Sequence, residues 1–376
     1  MSPVIRVCHV ISGDLWAGAE AQALSMLVAL RTASGVELSA VVLNEGRLSA
    51  RLREHGIEVL VLDESRLGVV ALARAIGAHL RARAVDIVHA HRYKENLLSV
   101  VATRFGLRAR LVQTVHGVQE RVAARQPLKV RGLLALDAFL ARHAFARVLA
   151  VSRDITVRIA RTHGRHAVRY LPNAIDLDAV RPARARELVR AEFGWGPTDV
   201  VFAIVGRLVP IKGLEVFLAA AARMAGRDRA CRFAIVGEGP LAVDLKEQVK
   251  TAGLAERVTF TGFRDDVPDL VRACDVFTMT SWHEGVPVAL LEAMALDRPV
   301  LATRVGGIGE VAEEGVTAIL CAAGDDAAIA DAGVRLARDP ALRAKMGAAG
   351  RARVEREYSA AVQRDRLLAI YSELFG

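Results

Sequence analysis

At 376 residues the chain is long enough for about two domains, and 53% hydrophobic with only 5% aromatic content suits a parallel α/β protein rich in Ala, Val and Leu. No apolar run approaches the roughly 18 residues of a membrane span, and MSPVIRVCHVIS enters a strand pattern without a basic leader, so a soluble cytoplasmic protein is expected. The net charge of +9 is lopsided, with 25 Lys/Arg against 13 Asp/Glu in residues 1–172 and 26 against 29 beyond, so the two halves should meet different partners.

The first half alternates short apolar runs with helical patterns: VIRVCHVI, then 18–30; LSAVVL, then 48–55; IEVLVL, then 67–80; VDIVHA, then 96–105; ARLVQTV; a long helical stretch; ARVLAVS and AVRYL. Continuous apolar strands separated by helices predict a parallel sheet covered on both faces. The second half repeats the pattern with VVFAIVG, RFAIVG, RVTFTG, DVFTMT, PVLATR and AIL. Between the halves, LPNAIDLDAVRPARAR carries turn residues and reads as a linker. The expected fold is therefore two Rossmann-like, doubly wound parallel-sheet domains, 1–174 and 175–357. Ligands of such sheets bind beyond the strands' carboxyl ends, which makes a cleft lined by both domains the place to look for chemistry.

In the first half, SGDLWAGAE turns into a helix with Gly13 and Gly18, able to offer backbone N–H groups to an anion or simply to turn the chain. The missing GxGxxG argues against a nicotinamide or flavin site. His89 and His91 share a strand face, but no third ligand is spaced to complete a set, so no metal is expected. His116, at a strand end before Gly117, is better placed to reach a substrate. Around 122–146, Leu133, Leu136, Phe139 and Leu140 recur at helical spacing beside Arg121, Arg125, Lys129, Arg131, Arg142 and Arg147. That pattern fits either an anionic membrane surface or a core-facing helix with a solvated basic face. Nothing interleaves aromatics with the basic residues, so no nucleic-acid partner is expected. Cys8, Cys231, Cys274 and Cys321 stand singly, as reduced core residues do.

In the second half, Arg207 and Lys212 follow a strand and can neutralise a diphosphate. Phe263 and Arg264 follow another and can flank a flat ring. The densest signal is TMTSWHEGVPVALLEAMALDRPVLATRVGG, a strand, loop, helix and strand in which Pro287 opens the helix. Glu284 and Glu292 frame that helix start, where the amides of Gly285, Val286, Pro287 and Val288 would meet an anion and the carboxylates sugar hydroxyls; proline itself contributes no N–H.

Taken together, AGAE, PNAIDLD, VGRLVPIKGLEVFL, VGEGPL, TGF and SWHEGVPVALLEAMALDRPVLATRVGGIGEV resemble glycosyltransferase family 4, retaining enzymes of the GT-B architecture, over nearly the whole chain. The resemblance implies a nucleotide-sugar donor, with UDP ahead of GDP, no metal or other cofactor, and a glycan or lipid-linked acceptor in cell-surface polysaccharide or glycolipid synthesis. By this resemblance Glu292 holds the ribose hydroxyls, Glu284 and the 285–288 amides the donor sugar and phosphate, and Arg207 and Lys212 the diphosphate. Phe263 and Arg264 fall at the base pocket, where backbone contacts usually dominate, Gly18 at the phosphate-facing loop, and His116 at the donor sugar. Glu284, His116, Arg207 and Lys212 would form the catalytic group. Residues 358–376 would cross back onto the first domain, and the basic first half could rest on the inner membrane face. An epimerase or inverting transferase of the same architecture, or a non-catalytic nucleotide-sugar or polysaccharide-binding subunit, stays open. Departures are few: Asp297 where the family more often has Gly, Gly309 for Pro, Ala318 for Gly, and AGAE for GGAE.

Overall fold

The computed structural model describes residues 4–13, 16, 18–104, 107–117, 128–163 and 167–376. They form two compact units, Met1–Ala174 with Ala360–Gly376, and Ile175–Ser359.

Unit 1 runs β1 (Ile5–Ser12), α1 (Gly18–Arg31), β2 (Val36–Leu43), α2 (Arg47–Glu54), β3 (Glu58–Leu62), α3 (Val69–Ala82), β4 (Ile87–Ala90), α4 (Tyr93–Thr103), β5 (Arg110–Val115), α5 (Leu128–His143), β6 (Arg147–Ala150), α6 (Arg153–His163) and β7 (Val168–Tyr170). The strands lie parallel in the order β3-β2-β1-β4-β5-β6-β7. Burial of Ala40 to Leu43 on consecutive positions of β2 shows both faces covered, which is why the strands read as unbroken apolar runs. The apolar runs foretold all seven strands. Helix α6, between β6 and β7, escaped because its sequence RDITVRIARTH is mostly polar, with Ile155 and Ile159 supplying the buried contacts. Helix α4 starts at Tyr93, a turn before its apolar pattern.

Unit 2 runs α7 (Arg186–Glu192), β8 (Val200–Val205), α8 (Leu214–Arg227), β9 (Cys231–Val236), α9 (Ala242–Thr251), β10 (Val258–Gly262), α10 (Val267–Ala273), β11 (Val276–Met279), α11 (Val288–Ala295), β12 (Val300–Thr303), α12 (Ile308–Val311), β13 (Ala318–Cys321), α13 (Asp326–Arg338) and α14 (Pro340–Glu357). Its parallel sheet has the order β10-β9-β8-β11-β12-β13. Side-chain caps stop two orphan N–H groups: Asp325 accepts from Ala328 N at 2.9 Å, and Asp339, just before Pro340, accepts from Leu342 N at 2.8 Å. One half-buried carboxylate ties α7 to the sheet. Asp275 Oδ1 meets Arg186 at 2.7 Å, while Oδ2 meets Arg190 at 3.1 Å and accepts from Val201 N at 2.9 Å.

Helix α15 (Ala360–Ser372) returns to unit 1, where Leu367, Ile370 and Tyr371 pack with Val7, Met26, Leu30 and Ile87. A polar clasp fixes it to α1: Gln22 Nε2 donates to Gln363 Oε1 at 2.9 Å, and Gln363 Nε2 to the Pro172 carbonyl at 2.6 Å. Cys8, Cys231, Cys274 and Cys321 are free and buried. Among the described residues, no helix is long and apolar enough to cross a membrane.

Candidate active site

The strand order of unit 2 reverses between β8 and β11, and the loops beyond a reversal diverge to leave a crevice. The loop after β8 ends in a 3-10 turn, Pro210–Lys212, and the loop after β11 carries Thr280 to Glu284. Lys212 Nζ donates to Glu284 Oε1 at 2.6 Å, and Ser281 Oγ donates to the same oxygen at 2.7 Å. The two loops are zipped further by Trp282 N to the Ile211 carbonyl at 2.9 Å and Thr280 Oγ1 to the Gly213 carbonyl at 2.8 Å. Glu215, the nearest acid in sequence to the basic pair, is instead engaged by the Trp282 indole N–H at 2.9 Å. Arg207 is exposed and makes no ion pair among the described residues. A cation pair, one member held by Glu284 and one open, therefore stands at the carboxyl end of the central strands.

Glu284 is also set from behind. Gly307 N donates to its carbonyl at 3.2 Å, and Gly306 adopts φ +47° so close to that carbonyl that a Cβ would overlap it. Only glycine permits both the left-handed backbone and this approach.

Pro287 occupies the N-cap of α11, one position ahead of the helix it was expected to open. The backbone N–H groups of Gly285 and Val288 donate to no other described group, leaving them available at the positive end of the helix. Glu292, one turn further along α11, makes no hydrogen bond or ion pair among the described residues. Burial pushes its carboxyl up to about 7. A partly exposed acid without donors, one helical turn from free amides, is suited to accept hydrogen bonds from a ligand's hydroxyls.

Phe263 is 52% exposed beyond β10. Arg264 does not present its guanidinium beside it. Its Nε and Nη2 grip Asp266 at 2.7 Å each, Nη1 meets Glu192 at 3.0 Å, and the group lies over the Phe193 ring at 5.7 Å. These carboxylates raise its already high basicity and turn it toward α7. Arg264 thus braces the loop through its side chain and leaves its backbone, through which the base-pocket contacts were expected, beside Phe263.

In unit 1, Gly18 begins α1, and a Cβ there would meet nothing within 4 Å. Two turns of polar chemistry surround the same sheet end. Glu20 is buried against Arg92, and Ser12 donates to buried Glu95. The histidines are more closely linked than their sequence positions suggest. Register pairs His9 of β1 with His89 of β4. His9 Nδ1 and His91 Nε2 are 3.0 Å apart, and His91 Nδ1 and His116 Nε2 3.1 Å. His89 meets Tyr371 Oη and Thr114 Oγ1, each at 2.7 Å. His9 is the third histidine that sequence spacing failed to supply: one ligand nitrogen from each of His9, His89 and His91 lies within 4.8 Å of the others. Both nitrogens of each are already hydrogen-bonded to neighbours. Burial lowers His9 to about 3 and His116 to about 4, and His89 and His91 fall well below the usual range, so all four rings are neutral near pH 7.

On α5, Leu140 is buried while Leu133, Leu136 and Phe139 are exposed. Arg121 and Arg125 lie outside the described residues, as do the side chains of Lys129 and Arg131.

Residues 16–179 match the description Glycosyltransferase Family 4, and residues 199–339 match Glycosyl transferases group 1. The chain is 31% identical over 277 residues to 2-deoxystreptamine glucosyltransferase of Streptomyces kanamyceticus, covering 70% of each. The chain belongs to glycosyltransferase family 4. Its similarity to alpha-D-kanosaminyltransferase of the same organism is 33% over 243 residues, spanning 62% of either protein, or about three fifths of that relative's length. In fold, this family 4 chain superposes on Anabaena HepE in complex with UDP with a TM-score of 0.85 at 22% identity, covering 98% of this chain and 100% of that one. Ser281, His9, Tyr371 and Thr114 are the polar contributors that reading the family 4 sequence missed. Ser281 carried a weak signal, two positions past the β11 run, whereas the others sit within apolar patterns.

Proposed function

We propose that the chain is a retaining glycosyltransferase that moves a hexosyl group from a UDP-sugar to a hydroxyl of a glycan or lipid-linked acceptor. The observation that carries the reading is the composition of the unit 2 crevice: Lys212 held on Glu284, open Arg207, and helix-start amides and a carboxyl, Glu292, that have no partner among the described residues. A diphosphate needs the cations and amides, and a ribose diol needs the carboxyl. Binding of UDP in the Anabaena HepE structure supports uridine as the nucleotide.

In the proposed reaction the bond from anomeric carbon to diphosphate oxygen breaks and the electron pair leaves on the diphosphate. Arg207, Lys212 and the 285–288 segment stabilise that charge by groups already in place. The acceptor oxygen bonds to the anomeric carbon on the face the diphosphate leaves, and its proton passes to a phosphate oxygen. Glu284 steers Lys212 and lies beside the positive sugar ring, and His116 contributes from unit 1 as a neutral hydrogen-bonding group. Exposed Leu133, Leu136 and Phe139 on α5 support an apolar or lipid surface as the setting of the acceptor.

The test is turnover of UDP-hexoses, with and without acceptor, monitored by proton NMR. The expected result is release of UDP and a product whose anomeric signal matches the donor's configuration. Lys212→Ala and Arg207→Ala should each lower kcat by about 100-fold or more while the far-UV spectrum is retained. Near-normal transfer by both variants, or inversion at the anomeric carbon, overturns the mechanism.

A further inference from the structure

The hydrogen bonds around His116 form one connected path. Thr114 Oγ1 meets His89 Nε2 and Tyr371 Oη meets His89 Nδ1, both at 2.7 Å. Tyr371 Oη also meets His9 Nε2 at 3.4 Å, His9 Nδ1 meets His91 Nε2 at 3.0 Å, and His91 Nδ1 meets His116 Nε2 at 3.1 Å. The path stops at His116 Nδ1, which is buried and has no partner among the described residues. The rings of His89 and His91 stack at 4.8 Å, and those of His91 and His116 at 5.4 Å.

A neutral imidazole carries one N–H and one lone pair, so each ring that donates on one side must accept on the other. The path therefore has only two consistent directions. A phenol is a far stronger acid than a neutral imidazole N–H, and the short Tyr371 to His89 contact is its better bond. Tyr371 O–H then donates to His89 Nδ1, His89 Nε2–H donates to Thr114, and the phenol oxygen is left to accept from His9 Nε2–H. Each later step follows: His91 Nε2–H donates to His9, and His116 Nε2–H donates to His91.

We propose that Tyr371, His89, His9 and His91 are positioning residues forming a directional hydrogen-bond chain, anchored on Thr114, that fixes His116 as the Nε2–H tautomer and leaves Nδ1 as an acceptor for a hydroxyl of the donor sugar. The sugar contact rests on the reading of His116 given under the proposed function; the tautomer does not. The chain makes His116 selective, since a site that offers only a lone pair recognises a hydroxyl and rejects a group that cannot donate. Tyr371 belongs to α15 and His116 follows β5, so the docking of a helix remote in sequence determines which face of an imidazole the substrate meets.

The test is the ring nitrogen spectrum of the full chain labelled with 15N-histidine, with His116→Gln used to assign the resonance. In the wild type, Nδ1 of His116 is expected to be pyridine-like and Nε2 pyrrole-like. Thr114→Val removes the acceptor of His89 Nε2–H. A buried N–H without a partner is costlier than a bare lone pair, so His89 should switch to Nδ1–H, Tyr371 should donate to His9, and His116 should show a protonated Nδ1. Tyr371→Phe breaks the path and should leave His116 as a mixture of tautomers. A protonated Nδ1 in the wild type, a His116 spectrum unchanged by both substitutions, or stoichiometric zinc in the purified protein, which would take the same lone pairs, overturns the proposal. Transfer from a UDP-sugar is followed in parallel. Tautomer reversal with a fall of about fivefold in kcat, the size of one neutral hydrogen bond, supports both readings. Reversal without any change in transfer supports the chain and removes His116 from the donor site.

Discussion

Glu292 gives the sharpest expectation because burial holds its free carboxyl at about 7. Two ribose hydroxyls donating to it would favour the carboxylate and return it toward its ordinary value of 4.5, so donor binding should release a proton. The apparent affinity then falls as pH drops through the free value, and between pH 8 and pH 6 the loss is about tenfold, or ~1.4 kcal/mol. Isothermal titration with UDP-glucose is the assay, because its diphosphate is a diester and carries no proton that titrates in this range. Glu292→Gln should bind about 10- to 100-fold more weakly at pH 8, having lost hydrogen bonds to a charged acceptor, and its affinity should be flat from pH 6 to 8. The sign extends to folding. A raised acid contributes stability that is complete below about 4.5 and is lost as pH rises to about 7, so the Gln variant should gain on the wild type progressively across that window and hold the full gain above it. Wild-type affinity independent of pH, or an equal slope in the Gln variant, refutes the assignment of Glu292 to the ribose.

Three further expectations concern the scaffold. Asp275→Asn leaves buried Arg190 without its countercharge and should destabilise the chain by about 3 kcal/mol or more in urea unfolding; a loss below ~1 kcal/mol would show that the carbonyls around Arg190 suffice. Gly306→Ala should push the Glu284 carbonyl away and weaken UDP-glucose binding at least about tenfold by titration, with a far-UV spectrum like that of the wild type. Asp297 sits at φ +59°, so Asp297→Gly should raise stability by about 1 kcal/mol with kcat unchanged.

The strands, and the places of Arg207, Lys212, Glu284 and Glu292 beyond them, were legible because each charge follows a strongly patterned strand or lies at or within the helix after it. Asp297 in place of the usual glycine was legible only as a change in turn geometry; the left-handed backbone at φ +59° comes from the structure. The Lys212–Glu284 pair was not, since it arises from β8 and β11 becoming neighbours, a matter of sheet order rather than local sequence. The direction of the Arg264 side chain was illegible for a related reason. Its partner Asp266 stood two residues away in plain view, but Glu192 and Phe193 come from α7, and the direction of a long side chain is decided by all its partners together. The histidine chain lay furthest from reach, because His9 and Tyr371 are separated by 362 positions and both occupy apolar strand or helix patterns that read as core.

Unit 1 is assembled from two stretches of chain with all of unit 2 between them, and an isolated parallel bridge between Ile175 and Ser359 holds the outgoing and returning segments side by side. During synthesis, residues 175–359 can complete their own sheet while the first sheet still lacks α15. Until that helix arrives, the apolar side of Met26, Leu30 and Ile87 stays uncovered, and Gln22 Nε2 and His89 Nδ1 lack their α15 partners. The nascent chain should therefore fold its second unit before it finishes its first, and the exposed surface of the waiting sheet is where a chaperone would bind.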